Sequence, residues 1–252
     1  MINRNKNNNF LIKDSIVETP KILAEDIYNT LKRKPFKNIL DIGAFKGKLS
    51  NPFTKKTNTK IIGIDVIDDY KDSFDKFILK DYLELTKKDI EGLNIDLIIS
   101  NPPFGKHLEH GELYPHLFIK KTIELFGENI PMVFIVPQWY LSNSKKRMDD
   151  LNKLNITKIT YIHKNIFNLE NENIIVEASA VYINIKTHKK HTFLSFDKNK
   201  VKVKKKRIYK SITLTEEQDL FLKNNVNNFN KYIKELISKD FKDFPKVKNK
   251  TV

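Results

Sequence analysis

The amino-acid sequence predicts an α/β protein with a mostly parallel sheet, a final antiparallel strand and helices on both faces of the sheet. Two patterns carry this prediction. Between residues 38 and 136, short and almost uninterrupted apolar runs, as in buried parallel strands, alternate with polar or amphipathic segments. Within 156–185, two further apolar runs are joined by a polar loop, which is typical of an antiparallel pair. With 40% hydrophobic residues among 252, the chain can bury a proper core.

The predicted elements begin with a helix after a polar lead-in over 1–15, which we expect to be frayed. Glu18-Thr19-Pro20 precedes apolar residues at helical spacing, so we expect Thr19 to cap the helix and Pro20 to lie in its first turn. Five apolar runs then predict parallel strands at 38–42, 61–65, 77–79, 95–99 and 132–136. Helices are predicted at 114–126 and 142–154, and the antiparallel pair at 156–163 and 174–185.

A domain boundary is predicted near residue 187, where the density of positive charge rises. The chain then divides into an α/β domain at 1–187 and a small basic appendage at 188–252. The run 198–206 suits either an edge strand protected by lysines or a surface that contacts phosphates, and we favour the second reading. An amphipathic helix is expected at 215–237, either as a recognition helix or as a cap on the sheet.

The composition narrows the classes of function. The net charge of +15, from 46 basic and 31 acidic residues, favours nucleic acid as a partner, and an acidic membrane surface as the second candidate. An AT-biased genome would also enrich Lys, Asn and Ile whatever the function. Because the chain has no cysteine, it has no disulfide, no thiolate metal site and no Cys nucleophile.

Targeting signals are the next consideration. No apolar run approaches the roughly 18 residues of a membrane span, and the first residues lack the apolar block of a secretory signal. We therefore expect a soluble protein that is intracellular and cytoplasmic, or located in a nucleus or viral factory if the source has one. We expect no membrane partner and no secretion.

Three predicted strands end in an aspartate. Asp41 opens the turn Asp41-Ile42-Gly43-Ala44-Phe45-Lys46-Gly47, which we expect to lead into a helix whose first N–H groups are free. Asp65 ends the second strand, and Asp81 follows the third. Each aspartate alone is more often a helix cap or a surface residue. Together, at the carboxyl edge of a parallel sheet, they favour a nucleoside-bearing cofactor, while the missing G-x-G-x-x-G spacing argues against a dinucleotide.

The most specific feature follows the fourth strand, at Asn101-Pro102-Pro103-Phe104. Two consecutive prolines exclude a helix or a central strand, so this segment is a stiff turn. It presents the Asn101 carboxamide oxygen and the Pro102 carbonyl as two acceptors beside the flat Phe104 ring. Such a pocket suits a planar ring that bears an exocyclic amine. The alternative is a proline-stiffened loop with an Asn cap.

Asn101-Pro102-Pro103-Phe104 resembles motif IV, the N-P-P-F/Y/W signature of amino-group methyltransferases that use S-adenosylmethionine. Other segments resemble further motifs of this family: 17–20 (motif X), 41–47 (motif I), 65 (motif II), 81–82 (motif III), 132–140 (motifs V and VI), 163–167 (motif VIII) and 177–183 (the closing strand). Their order is similar to that of the gamma class of TaqI-like DNA adenine-N6 methyltransferases. The resemblance implies a Rossmann-like class I methyltransferase sheet within 1–187.

The resemblance also implies roles for individual residues. S-adenosyl-L-methionine would contact Thr19, Pro20, Asp41, Gly43, Ala44 and Gly47 at its methionine part, Asp65 at its ribose, Asp81 and Tyr82 at its adenine, and Asn101. The catalytic residues would be Asn101, Pro102, Pro103 and Phe104, with Phe104 and Phe167 against a flipped adenine. Ile42 and Phe45-Lys46 depart from the usual motif I, and we expect cofactor binding to survive this.

Several alternatives stay open at this point. Gamma-class enzymes usually have a substantial recognition domain, and the residues 188–252 that follow the α/β domain are few for one, so we keep RNA as a second candidate substrate. Glutamine methylation in proteins and a non-catalytic nucleic-acid-binding subunit with an unknown partner subunit are further readings. We expect no metal: the segment 107–112 is read as a mobile loop over the target base rather than a metal site. Trp139 and Tyr140 suit the substrate cleft and the rim of the core equally well.

Overall fold

The protein is described by a computed structural model that covers residues 17–55, 58–107, 109–142, 144–171 and 174–195. The predicted lead-in at 1–15, the basic run at 198–206 and the helix at 215–237 lie outside the described residues. The predicted boundary near 187 therefore stays a prediction.

One eight-stranded sheet forms the centre of the described part, in the order β3-β2-β1-β4-β5-β7-β6-β8. The strands are β1 (Asn38–Ile42), β2 (Lys60–Asp65), β3 (Lys76–Leu79), β4 (Leu97–Ser100), β5 (Met132–Pro137), β6 (Ile156–Ile162), β7 (Ala178–Ile183) and β8 (His191–Leu194). Among them, β7 alone is antiparallel to its neighbours, β5 and β6. This confirms the predicted α/β class with a mostly parallel sheet.

Helices cover both faces of this sheet. They are α1 (Lys21–Leu31), α2 (Tyr114–Phe126) and α3 (Lys145–Asn152). Side chains alternate between the two faces of a strand, so Ile39 of β1 packs in the cluster with α1, whereas Leu40 packs in the cluster with α2 and α3. None of the described helices is long and apolar enough to cross a membrane.

The start of α1 differs from the prediction. Pro20, not Thr19, occupies the cap position, and its carbonyl accepts from the N–H groups of Leu23 and Ala24 at 3.0 Å. The cap makes no side-chain hydrogen bond, so Thr19 as the capping residue was wrong. Because Thr19 is one residue too early to cap, its hydroxyl is available to another part of the protein.

The connection from β1 to β2 also differs from the prediction, because its described residues contain no α-helix. Turns run through 43–50, and a short 3₁₀ helix at Asn51–Lys55 completes the described part of the connection. Pro52 explains part of the difference, since it has no N–H to donate to the preceding turn of a regular helix. Gly43 and Gly47 both have a φ of 66°, a left-handed conformation that suits glycine and interrupts a helix.

The edge strand β8 was not predicted. It pairs in parallel with β6, from Ile159 opposite His191 to Ile162 opposite Leu194. Its four residues, His-Thr-Phe-Leu, are too few and too polar for the apolar periodicity to indicate a strand.

Candidate active site

The carboxyl edge of the sheet gathers the predicted site residues. Because β1 pairs in parallel with both β2 and β4, Ile42 lies opposite Ile64 on one side and Ser100 on the other. Asp65 and Asn101, one residue further along their strands, therefore leave the sheet on either side of the turn that follows β1. The Ser100 hydroxyl donates to the Ile42 carbonyl at 2.8 Å, which ties the end of β4 to β1.

The Asn101 carboxamide is held in one orientation by the segment before α1. Its Nδ2 donates to the Val17 carbonyl at 3.2 Å and to the Thr19 hydroxyl at 3.1 Å. Since a backbone carbonyl can only accept, the atom that faces Val17 must be the nitrogen. The oxygen Oδ1 is left as a hydrogen-bond acceptor, with no donor to it among the described residues.

The remainder of the Asn-Pro-Pro-Phe turn presents an aromatic ring. Pro102 is buried, Pro103 is exposed and Phe104 is half-buried. The Phe104 ring meets Phe167 edge to face, with centroids 6.2 Å apart and an interplanar angle of 70°. Two of the predicted target-base residues thus come together. Phe167 is fully buried, so Phe104 is the ring of this pair that reaches the surface.

Backbone N–H groups of the turn after β1 donate hydrogen bonds to β2. The N–H groups of Gly43 and Ala44 donate to the Ile64 carbonyl at 2.9 and 3.1 Å. The N–H of Phe45 donates to Asp65 Oδ2 at 2.8 Å. The predicted helix N-terminus with free N–H groups is therefore wrong, because internal acceptors already take these donors.

Asp65 thus has a structural partner on each carboxylate oxygen. Besides Phe45, the N–H of Ile67 donates to Oδ1 at 3.0 Å. Burial raises the pKa of Asp65, and these backbone hydrogen bonds act against that shift. Each carboxylate oxygen can accept a second hydrogen bond, so the group keeps the capacity to bind a ligand hydroxyl.

Asp41 is the least compensated charge at this edge. It is 1% exposed, and its Oδ2 has no hydrogen-bond partner. Burial raises the pKa of Asp41 to about 7, hydrogen bonding with Ser50 opposes the shift, and the nearby Asp65 adds to it. An ionised carboxylate in this position would gain strongly from a cationic donor.

At the end of β3, Asp81 and Tyr82 point in different directions. Asp81 Oδ1 accepts from the N–H of Leu83 at 2.9 Å and caps the short 3₁₀ helix Tyr82–Glu84. The Tyr82 ring lies in the core, where its hydroxyl is 2.7 Å from the Thr122 hydroxyl. Burial raises the pKa of Tyr82. Asp81 alone of the two offers a side chain at the edge of the sheet.

An ion-pair network that the motifs did not indicate joins three of these segments. Lys46 and Lys48 of the turn after β1 both pair with Glu18, and Lys48 also pairs with Glu170. Asn171 accepts from the Glu18 N–H at 2.7 Å and donates to the Glu18 carbonyl at 2.8 Å. The segments around 18, 46 and 170 are distant in sequence, and no spacing rule connects their charges.

The remaining candidate residues lie in the loop before α2 and around Tyr140. A backbone bridge between Lys106 and Leu113 closes the loop before α2. His116 lies buried between two partners, with Nδ1 3.1 Å from the Tyr140 hydroxyl and Nε2 3.3 Å from Asp150 Oδ2.

Burial lowers the pKa of His116. Tyr140 is fully buried while Trp139 is 43% exposed, so Tyr140 packs in the core and Trp139 is the one at the surface. In the described part of the chain, no three His, Asp or Glu side chains are placed to hold a metal ion.

Comparisons with known proteins give the fold. No protein-family model and no curated protein sequence matches the chain. Among solved structures, the chain is similar to a modification subunit assigned to a type I restriction enzyme from Vibrio vulnificus (TM-score 0.56, 12% identity, 88% of this chain and 57% of that one).

It is also similar to the methyltransferase subunit of a type I restriction-modification system from Streptococcus thermophilus (0.53, 14%, 70% and 47%). A third similar structure is a protein from Listeria monocytogenes assigned to the class I S-adenosylmethionine-dependent methyltransferases (0.51, 17%, 68% and 62%). The chain thus spans between 47% and 62% of the length of these three proteins. At these identities, the likeness shows that the Rossmann-like sheet of class I methyltransferases is the fold of this chain.

Proposed function

We propose that this chain transfers a methyl group from S-adenosyl-L-methionine to the N6 amino group of adenine in DNA. The observation that carries the proposal is the fixed Asn101 carboxamide, whose Oδ1 is left as an acceptor in the same turn as the Pro102 carbonyl. Two acceptors in one stiff turn match the two hydrogens of an amine. The fold agrees with the chemistry, and two of the similar structures are named as subunits of restriction systems, which favours DNA over RNA.

The cofactor fits an unsatisfied group of this chain. The buried Asp41 Oδ2 lacks a donor, and the methionine part of S-adenosylmethionine carries an ammonium group that would supply one. Asp65 would accept from the ribose hydroxyls, and Asp81 would face the adenine end. The predicted contacts at the methionine part are Thr19, Pro20, Gly43, Ala44 and Gly47. When bound, the cofactor supplies a methyl group on a positively charged sulfur, which is the electrophile.

The chain's own residues would then position the amine. The lone pair of an adenine amine is conjugated with the ring, and this conjugation makes the amine a poor nucleophile. If Asn101 Oδ1 and the Pro102 carbonyl accept its two hydrogens, the lone pair becomes localised and points toward the methyl carbon. After methyl transfer the amine would carry an extra proton, which would pass to water, because the Asn101 carboxamide does not hold a proton.

The half-buried Phe104 would form one wall of the base site. An adenine in a duplex must leave the stack to reach Asn101, which costs a few kcal/mol. Stacking on Phe104, which the edge of Phe167 supports, would offset part of that cost. The turn therefore combines acceptors for the amine with a surface for the ring.

The test is transfer of labelled methyl from S-adenosylmethionine to unmethylated duplex DNA and to total RNA in parallel. We expect label in DNA as N6-methyladenine, and a loss of at least ~100-fold in Asn101→Ala, the order of magnitude for removing one preorganised polar group. Calorimetry should show that Asn101→Ala still binds the cofactor, which separates lost chemistry from lost folding.

Other outcomes redirect the proposal. Unaltered turnover in Asn101→Ala would remove Asn101 from the reaction. Label in RNA alone would keep the chemistry and replace the substrate. No binding of the cofactor by the wild-type protein would favour a non-catalytic nucleic-acid-binding subunit.

A further inference from the structure

One face of β6 and β8, which we call the β6–β8 face, carries three aromatic rings: the half-buried Tyr161 and the exposed His191 and Phe193. The register places Tyr161 opposite Phe193, and their rings stack with centroids 5.2 Å apart and planes 22° apart. His191 stacks on the same Tyr161 ring at 6.2 Å. Phe193 is 79% exposed, the largest exposed fraction among the large hydrophobic side chains of the described residues. The aromatic stack therefore ends in a ring that is open to a ligand.

The strand geometry explains why these rings are uncovered. Lys158 of β6 donates to Thr30 of α1 at 2.9 Å, and Thr160 bonds Thr192 of β8 at 2.8 Å, so these residues face α1. Side chains alternate along a strand, which places Tyr161 and Phe193 on the opposite face. There, the described helices α2 and α3 pack in a cluster that contains neither ring.

The strands of the β6–β8 face carry more positive than negative charge. Residues 151–169 and 178–195, which contain β6, β7 and β8, include no Asp or Glu, although the exposed Glu177 directly precedes β7. Lys158 faces α1, and the other lysines of these segments are Lys153, Lys164, Lys186, Lys189 and Lys190. A cavity of about 340 Å³ at this end of the sheet is lined in part by Lys186, Lys190 and His191. Stacked rings thus lie beside cations without a competing carboxylate in these segments.

We propose that the β6–β8 face binds a single-stranded polynucleotide. A base would stack on the open side of Phe193 and extend the Tyr161–Phe193 stack, while Lys186 and Lys190 would contact the phosphates. A single strand is required because the bases of a duplex already stack on one another. An acidic membrane would use the lysines but has no planar rings to stack on Phe193. The proposal uses no residue of the Asn101 turn, so it does not depend on the proposed activity.

The test is fluorescence anisotropy with the full chain and labelled oligo(dT) and oligo(U) strands, which distinguish DNA from RNA. We expect Phe193→Ala to weaken binding by roughly 5- to 140-fold, the range for loss of one base–aromatic stack. Phe193→Trp should keep the affinity, because it keeps a stacking ring. Leu79→Ala, on the opposite edge strand β3 and 56% exposed, is the matched control and should change nothing.

A second pair of variants tests the phosphate contacts. Joint replacement of Lys186 and Lys190 by Gln should reduce the salt dependence of binding, because fewer counterions are released. The same replacement at Lys76 and Lys87, which are exposed elsewhere, should leave the salt dependence almost unchanged. Asn101→Ala should bind these strands like the wild type. Loss of methyl transfer in that variant would therefore not affect the outcome of the binding test.

Three results would overturn the proposal. One is equal affinity of Phe193→Ala and the wild type. The second is equally tight binding of an abasic strand, which would mean that the surface is purely electrostatic. The third concerns the tryptophan of Phe193→Trp, introduced together with Trp139→Phe because Trp139 is itself exposed: if acrylamide cannot quench its fluorescence in the free protein, another part of the chain or a second copy covers the face.

Discussion

The polar side chains at the ends of the neighbouring strands β1 and β4 differ in charge, burial and hydrogen bonding. After β4, the neutral Asn101 carboxamide donates both of its hydrogens, to Val17 and Thr19. In β1, the Asp41 carboxylate is buried with one oxygen unpartnered. The half-buried Asn101 carboxamide is neutral and has both N–H groups bonded, whereas a buried carboxylate without compensation is costly, and the pKa of Asp41 accordingly rises to about 7.

This difference shows which part of the candidate site has a fixed side-chain orientation before a ligand binds. The end of β4 is preorganised, because internal partners already hold Asn101 in its orientation. At β1, the buried Asp41 Oδ2 has no hydrogen-bond partner among the described residues, so a ligand that donates to this oxygen would satisfy it. In the proposed reaction, Asn101 would position the substrate amine and Asp41 would bind the cofactor, both at the same edge of the sheet.

The largest pH-dependent effect is expected from neutralising Asp41. Its pKa in the folded protein, about 7, lies above the ordinary 3.8, so the folded state resists deprotonation. The resulting loss of stability begins as the pH rises through 3.8 and is complete above pH 7, where it reaches up to about 4 kcal/mol. Asp41→Asn should therefore stabilise the cofactor-free protein at pH 8 and change it little at pH 4.

Denaturant unfolding of wild type and variant at both pH values measures this difference. Calorimetry should show weaker cofactor binding by Asp41→Asn at pH 8, since the variant has no charge for the ammonium group. A variant that binds the cofactor as well as the wild type would show that Asp41 has no part in the cofactor site.

The second effect compares the two rings of the base site. Phe104→Ala should raise KM for DNA by the equivalent of about 1–3 kcal/mol, because it removes a stacking surface. Phe167→Ala should instead lower the free energy of unfolding by about 3–5 kcal/mol, since Phe167 is fully buried. Steady-state kinetics and urea unfolding of both variants separate the roles. A kinetic defect of equal size in the two, with no difference in stability, would contradict the division.

A smaller effect is expected from Thr19, which positions Asn101 through its hydroxyl. Thr19→Val should lower kcat by the equivalent of about 0.5–1.5 kcal/mol, the usual net value of one hydrogen bond. KM for DNA should change little, and Thr19→Ser should restore kcat. If the variant loses affinity for the cofactor while kcat is unchanged, Thr19 acts at the cofactor and not on Asn101.

The smallest effect concerns the ion pairs of Glu18 with Lys46 and Lys48. Glu18→Gln should cost no more than about 1 kcal/mol, because exposed or half-exposed pairs are well solvated. The loss should shrink in high salt, which screens these charges. Thermal unfolding at low and high salt measures it. A salt-independent loss would mean that Glu18 acts through its packing.

Most of the fold could be predicted from the sequence, because the hydrophobic periodicities of strands and helices are visible within short segments. The helix at 114–126 agrees with α2 residue for residue, and the apolar runs predicted the strands from β1 to β7. The failures have local causes. Pro52 and the left-handed Gly43 and Gly47 favour turns where a helix was predicted after β1. The cap of α1 lies one residue later than predicted. The strand β8 is too short and too polar to be recognised from its sequence.

The site was predictable in its types of residue and not in its contacts. The stiffness of Asn101-Pro102-Pro103-Phe104 follows from two prolines, and the aspartates at strand ends follow from the parallel sheet. Their partners do not follow, since Thr19 and Asn101 are 82 residues apart. No motif indicated that the Gly43 and Ala44 N–H groups would be taken by β2.

The chain's residue order therefore determined the layers, the strand ends and the one turn with two acceptors. The three-dimensional path of the chain decided which way the Asn101 amide faces, that Phe104 meets Phe167, that Asp41 has no partner for one oxygen, and that Phe193 is exposed. The physical reason is the distance along the sequence over which each effect acts. Backbone preference and burial period act over a few residues, whereas hydrogen bonds, stacked rings and desolvation depend on groups that only folding brings together.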